Sequence, residues 1–274
     1  MGGPARGAAT AAPDHLVRLE GSDGVAVLTL DRAERLNAIG TETIAALRAA
    51  VREIAADPAV RSVVVTGEGR VFCAGADIAE FSSFTEAREF EAFITDMAGA
   101  FSALSALPKP SVAAVNGHAL GGGLELALAC DLRVASAGAL LGVPEVKLGL
   151  LPGATGTARL TRMLAPGVAK QLLMTGEPVT ADEALRLGLV NQVAEDGPAA
   201  VALALDLARR LAALPTGALA AAKRLVDDGA ELSLDDAIAL ERDSVSQLFA
   251  TPDREEGVAA FLGKRPPRFD RAST

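Results

Sequence analysis

Apolar positions along the first two-thirds of the chain switch repeatedly between a period of two and a helical period. His15–Glu20 and Val25–Leu30 alternate in part and are joined by the turn-like Gly21-Ser22-Asp23-Gly24, which predicts two short strands. From Thr41 to Ala56 the residues Ile44, Leu47, Val51 and Ile54 recur at helical spacing. Arg61–Thr66 holds three consecutive valines, the pattern of a buried strand, and the loop Gly67-Glu68-Gly69-Arg70 follows. Residues 85–106 carry a second helical pattern, 110–116 another apolar run, Gly121–Cys130 a short apolar helix and 131–136 a further strand. Strand, helix and strand in this order predict βαβ units and a sheet covered on both faces.

Beyond residue 155 the pattern is helical. Thr180-Ala181-Asp182-Glu183 has the form of a capping box, with Thr180 as N-cap and Glu183 reaching back to its N–H. Thr251-Pro252 sets a proline at a first helical position. Helices are predicted around 197–213, 215–229, 233–249 and 252–263, with no internal repeat and no low-complexity linker. The best candidate boundary is Glu195-Asp196-Gly197-Pro198, dividing residues 15–196 from a C-terminal helical region, 197–274. Residues 1–14, rich in Gly, Ala and Pro, read as a loose N-terminal arm.

Composition narrows the partners. Half of the 274 residues are hydrophobic, enough for a large core and against disorder of the whole chain. A net charge of -9 argues against nucleic acid or an anionic membrane surface, while a local basic patch would still suffice for a small anionic ligand. No apolar run reaches the roughly eighteen residues of a spanning helix. The first residues hold one arginine and no compact hydrophobic block, a poor secretory signal, so a cytoplasmic protein is expected. Cys73 and Cys130 read as small hydrophobes rather than a disulfide framework. No His/Cys/Asp spacing suggests a metal site. His15 ends the arm, and His118 reads as a backbone-bonded or core histidine.

Four stretches could carry chemistry. Phe72-Cys73-Ala74-Gly75-Ala76-Asp77-Ile78 either turns backbone N–H groups into a cavity or is a plain strand-to-helix turn capped by Asp77. Gly121-Gly122-Gly123 ahead of a helix leaves free N–H donors where the macrodipole is positive, which suits a developing oxyanion; close helix–sheet packing or a phosphate cradle are the alternatives. Neither alternative accounts for Glu125, flanked by Leu124, Leu126 and Leu128, where desolvation and the helix N-terminus shift its pKa in opposite directions. Glu145 is a second carboxylate in apolar company, ahead of Val146, Leu148, Leu150 and Leu151, or an acid on a surface loop. Lys264, Arg265 and Arg268 form a basic cluster in a tail that, for any single side chain, reads first as a solvated terminus.

Taken in order, LDRAERLNAI (30–39), VFCAGADIAEF (71–81), AAVNGHALGGGLELALACD (113–131), GVPEVKLGLLPGATGTARL (142–160), ADEALRLGLVNQVA (181–194) and EGVAAFLGKRPPRF (256–269) resemble the crotonase (enoyl-CoA hydratase/isomerase) superfamily over roughly residues 15–270. The resemblance implies an α/β fold, a crotonase-like spiral of ββα units with a C-terminal helical trimerisation region, as a homotrimer or dimer of trimers. It implies an oxyanion hole from the backbone N–H groups of Ala76 and Gly122. Glu125 would activate the water that attacks Cβ, and Glu145 would deliver a proton to Cα. Leu36, Ala74, Asp77 and Ile78 match positions along coenzyme A, Gly153 a position near the catalytic water, and Lys264 a phosphate contact from its own or a neighbouring subunit. Coenzyme A would enter as part of the substrate, with no separate cofactor.

The activity so implied is that of a hydro-lyase of lipid and fatty acid metabolism, of the kind used in β-oxidation: syn addition of water to a trans-2-enoyl-CoA, giving 3-hydroxyacyl-CoA. Double-bond isomerisation or other acyl-CoA enolate chemistry is the first alternative, and a non-catalytic CoA-binding or assembly protein the second. A nucleotide-binding Rossmann enzyme fits poorly, because the glycine triplet lacks GxGxxG spacing. Three departures touch substrate and affinity: Thr155 stands where the family has glycine, Ala158 where it has glutamine, and Ala79 where many hydratases carry lysine.

Overall fold

Valine-rich runs with no polar alternation need cover on both faces, and they form the centre of a six-stranded sheet. The computed structural model describes residues 16–269, so the expected arm 1–14 and His15 lie outside the described residues. The sheet contains β1 (Val17–Ser22), β2 (Val25–Leu30), β3 (Ser62–Gly67), β5 (Ser111–Val115), β7 (Leu132–Ser136) and β10 (Gln192–Ala194), side by side in that order. Only β1 and β2 pair antiparallel; the others are parallel. Ser22 pairs with Val25, so the hairpin closes on Asp23-Gly24 alone, both at positive φ (54° and 80°). The turn expected over four residues is thus a two-residue turn with the handedness that matches strand twist, and β1 runs two residues beyond Glu20.

A second sheet is made of β4 (Val71–Cys73), β6 (His118–Leu120), β8 (Leu140–Gly142) and β9 (Val179–Thr180). β4, β6 and β8 are parallel and β9 is antiparallel to β8. The chain therefore visits one sheet and then the other, β3 to β4, β5 to β6, β7 to β8, before each following helix. That is a spiral of ββα units. The expected βαβ alternation is the same path with these three-residue strands folded into its loops.

Between the strands lie α1 (Thr41–Ala56), the single turn α2 (Ile78–Phe81), α3 (Ala87–Ser105), α4 (Gly122–Leu128), α5 (Gly156–Met163), α6 (Pro166–Thr175) and α7 (Ala181–Arg186). Ile44, Leu47, Val51 and Ile54 of α1 are buried, and so are Phe93, Met97, Phe101 and Leu104 of α3. A reciprocal cap starts α3: the Glu86 side chain accepts the Glu89 backbone N–H, and the Glu89 carboxylate accepts that of Glu86. At α7 only half of the expected box forms. Thr180 Oγ1 accepts the Glu183 N–H at 3.3 Å, while the Glu183 carboxylate turns away to Arg186, a charged partner.

The C-terminal helices are α8 (Gly197–Ala212), α9 (Thr216–Gly229), α10 (Leu234–Phe249) and α11 (Pro252–Leu262). Along α8 the residues Ala200, Ala204, Ala208 and Ala212, four apart, lie against Val64, Val112 and Val134 of the six-stranded sheet. α9 is tied to the spiral by Lys223, whose Nζ lies 2.9 Å from Asp131 Oδ1. Thr251 caps α11 by accepting the Arg254 N–H, with Pro252 in the first turn.

Candidate active site

Three parallel neighbours in the small sheet, β4, β6 and β8, end side by side, and their C-terminal ends deliver the candidate groups. Such ends are where an open parallel sheet leaves a crevice for ligand. After β4 comes Ala74–Asp77, after β6 the glycine triplet and α4, and after β8 a 3₁₀ turn, Pro144–Leu148, that carries Glu145. Ala76, Gly122, Glu125, Glu145, Ala74, Ile78 and Gly153 border one apolar cleft. Leu36, Asp77 and Lys264 are not on its wall.

The three glycines of the triplet have separate tasks. Gly121 adopts φ 52°, ψ -127°, a conformation for glycine, and a Cβ there would sit 2.9 Å from Glu145 Oε1. Gly122 presents its N–H beside that of Ala76: a Cβ on Gly122 would lie 3.4 Å from the Ala76 nitrogen. Among the described residues neither N–H donates to a protein acceptor. Gly123 packs directly on β4, where a Cβ would be 2.2 Å from the Cys73 carbonyl oxygen. The close-packing reading of the triplet holds at Gly123, while Gly122 leaves a free N–H of the kind the oxyanion reading calls for. Gly75, at φ 111°, bends the facing loop so that Ala76 can meet Gly122.

Glu125 is 3% exposed, on the first turn of α4. The Gly156 N–H donates to its Oε1 at 2.6 Å, across the cleft from α5. Burial dominates and pushes its pKa up to about 7; the Gly156 N–H opposes the rise, the Glu145 charge adds to it, and the Ala154 N–H opposes it again. The contest that the sequence leaves unsigned is thus won by desolvation. Glu145 is also raised by burial, and its Oε2 is buried without a hydrogen-bond partner among the described residues. Two carboxylates with raised pKa values, one accepting a donor N–H from α5 and one with an unpartnered oxygen, border the same cleft, a pairing suited to acid–base work.

The remaining expected positions fall as follows. Leu36, at φ 54°, is exposed, and its carbonyl accepts the Ala74 N–H at 3.0 Å, so it braces the cleft loop from behind. Ile78 is exposed beside the cleft. Asp77 is buried, with 8% exposure, accepts the Ala79 and Glu80 N–H groups as N-cap of α2, and pairs with Arg32 at 2.8 Å. Desolvation, the largest influence, pushes Asp77 up, but Arg32 and the capping N–H groups together hold it below the usual carboxylate range. Lys264 is exposed at the end of α11 with φ 49°, and its neighbour Arg265 is engaged by Glu256 at 2.6 Å. His118 accepts the Leu140 N–H on Nδ1 at 3.0 Å, in the backbone-bonded role expected. Burial lifts both Cys73 and Cys130 thiols to about 12, which keeps them unreactive.

Residues that sequence reasoning missed close the site. Phe90, Ile94 and Met97, at helical spacing on α3, line the cleft with Phe81 of α2. Phe81 and Phe90 meet edge to face, 5.6 Å between centroids. Gly156, the donor to Glu125, was hidden as one more glycine of a glycine-rich loop; the space it leaves is filled by the carboxylate, 2.7 Å from where its Cβ would be.

A cleft with paired N–H donors, one buried carboxylate and one half-buried one has the equipment to stabilise an oxyanion while moving protons. The family model for enoyl-CoA hydratase/isomerase matches residues 20–272, and the chain belongs to that family. It is 41% identical over 254 residues to the crotonyl-CoA hydratase of Syntrophomonas wolfei, covering 92% of this chain and 96% of that one. It is 40% identical to the short-chain-enoyl-CoA hydratase of Clostridium acetobutylicum, covering 91% of this chain and 95% of that one. The crystal structure of an enoyl-CoA hydratase from Polaromonas sp. superposes with a TM-score of 0.89 at 38% identity, covering 93% of this chain and 99% of that one.

Proposed function

We propose that the chain is an enoyl-CoA hydratase, adding water to a trans-2-enoyl-CoA to give the 3-hydroxyacyl-CoA. The observation that carries this reading is the convergence of Glu125 and Glu145 on the cleft beside the Ala76 and Gly122 N–H groups. The thioester carbonyl oxygen accepts from both N–H groups, which stabilise it as it becomes enolate-like; removing one such donor costs roughly a hundred- to a thousandfold in kcat.

Burial favours the protonated form of both carboxylates, and the Glu145 charge adds to that at Glu125; the reaction uses one of them charged and the other protonated. The Gly156 N–H favours the charge on Glu125, and the bare Oε2 of Glu145 favours the proton there once an acyl group covers the site. Glu125 then takes a proton from water as its oxygen bonds Cβ, while Glu145 gives its proton to Cα. Afterwards Glu125 carries the proton and Glu145 the charge, and one proton transfer between them restores the site. Both carboxylates bordering the cleft support hydration over an isomerisation run by a single acid.

Coenzyme A enters with the substrate along Leu36, Ala74, Asp77 and Ile78, and no further cofactor is required. Gly153, on the cleft wall, lies near the attacking water in this reading, and Lys264 serves a CoA phosphate, in its own or a neighbouring subunit. The enzyme is cytoplasmic and assembles as a trimer or dimer of trimers through 197–274, with 15–196 as its catalytic unit. Exposed Phe249 and Phe261 on α10 and α11 support the assembly. A short acyl group is the substrate in this reading, in keeping with the names of the two relatives above, and it would lie against Phe81 and Phe90 on the cleft wall. A panel of trans-2-enoyl-CoAs of graded length tests reaction and substrate together, with 3-enoyl-CoA included to detect isomerisation. Fastest hydration of the shortest members supports the reading; isomerised product without hydration overturns it.

A further inference from the structure

Thr155 is the β-branched member of the five non-glycine residues at positive φ among the described residues, at φ 89° and ψ -6°. A β-branched residue in that region is strained, and such strain persists only where the surroundings hold it. Thr155 stands at the N-cap of α5, yet its hydroxyl makes no capping bond to that helix. Instead Oγ1 accepts from Arg159 Nε at 2.9 Å. The same guanidinium reaches the Ser105 hydroxyl at the end of α3 (3.3 Å) and the Leu128 carbonyl at the end of α4 (3.5 Å). The ψ angle of Thr155 sets the direction of the next N–H, that of Gly156, which is the donor to Glu125.

We propose that Thr155, clamped by Arg159, is a positioning residue for Glu125: the clamp holds the left-handed backbone that aims the Gly156 N–H at the carboxylate, and ties that aim to the helix bearing Glu125. The inference rests on the catalytic reading of Glu125. Glycine would adopt this φ without strain, so threonine here trades local stability for a side-chain anchor. A cap role does not explain the residue, because its hydroxyl is turned to Arg159. Around Glu125 the charged neighbour is Glu145 from the 3₁₀ turn; around Arg159 they are Asp227 of α9 and Asp131 and Arg133 at β7. None of these is altered by substitution at Thr155.

The test compares parent, Glu125→Gln, Thr155→Gly, Thr155→Ser and Arg159→Leu as purified full-length proteins, by thermal melting and by the pH dependence of crotonyl-CoA hydration. Thr155→Gly is expected to fold with a melting temperature at or above the parent's, because the strain is gone. Its kcat is expected to fall roughly tenfold or more, since the carboxylate loses its fixed aim, with KM held within about twofold. The acid limb of its pH profile moves upward, because a loosened Gly156 N–H no longer opposes the rise in the Glu125 pKa. Thr155→Ser keeps the hydroxyl and restores the rate, and Arg159→Leu reproduces the loss. Parental kcat and an unmoved acid limb in Thr155→Gly, with Glu125→Gln inactive, overturn the positioning role. So does a serine variant as slow as the glycine one. A fully active Glu125→Gln overturns the catalytic reading itself and the proposal with it.

Discussion

Burying a carboxylate on an apolar helix costs stability that the fold must find elsewhere, and at Glu125 the cost has a pH signature. Its folded pKa lies above the unfolded value, so the native state binds the extra proton between the two, and stability falls as pH rises through that window. A rise from 4.5 to about 7, at roughly 1.36 kcal/mol per unit, comes to about 3 kcal/mol. Glu125→Gln is therefore expected to gain stability relative to the parent as pH rises from about 4.5 to 7, and to hold that gain above it. Denaturant titrations of both proteins across that range check it; a pH-independent difference contradicts it.

Gly121→Ala makes a second test at this scale. The substitution strains φ 52° and places a methyl 2.9 Å from Glu145 Oε1, so kcat should fall by roughly a hundredfold or more, with the protein still folded by circular dichroism. At this scale the sequence was legible wherever chemistry stands out against an apolar background, as at Glu125 and Glu145. Gly156 was not legible, because a donor N–H is a property of conformation and every residue type but proline has one; Thr155 stood out only as a departure from the family motif, its left-handed backbone hidden. Asp77 shows the converse: a plausible ligand position whose carboxylate is already engaged by Arg32 and the α2 cap.

Helices and strands were legible to the extent that they are long. α1, α3 and the four C-terminal helices follow directly from apolar spacing. β4, β6 and β8 have three residues each, fewer than one alternation needs, so the second sheet was invisible and the spiral came from resemblance alone. Yet the ends of those short strands build the site. α8 shows how closely one element is fitted: four alanines let it lie on the sheet, and a larger side chain has nowhere to go. Ala208→Leu should destabilise the protein by about 1–3 kcal/mol through overpacking, read as a lowered denaturation midpoint with the m-value unchanged. An unaltered midpoint would mean that α8 packs more loosely than the zero exposure of Ala208 indicates.

The whole molecule carries a net charge of -9 yet presents apolar side chains on its last two helices, Phe249 at 66% exposure and Phe261 at 84%. Among the described residues no helix is long and apolar enough to cross a membrane. Self-association is the proposed cover for this surface, so Phe261→Asp should lower the mass measured by sedimentation from trimer or hexamer towards monomer; a parent that is monomeric at micromolar concentration contradicts it. The account as a whole stands on two carboxylates adding one water. Its most direct test follows the loss of conjugated enoyl-thioester absorbance on crotonyl-CoA with the parent, Glu125→Gln and Glu145→Gln. The parent should hydrate the substrate, and each variant should be slower by about a hundredfold or more. Turnover undiminished in either variant would contradict the account.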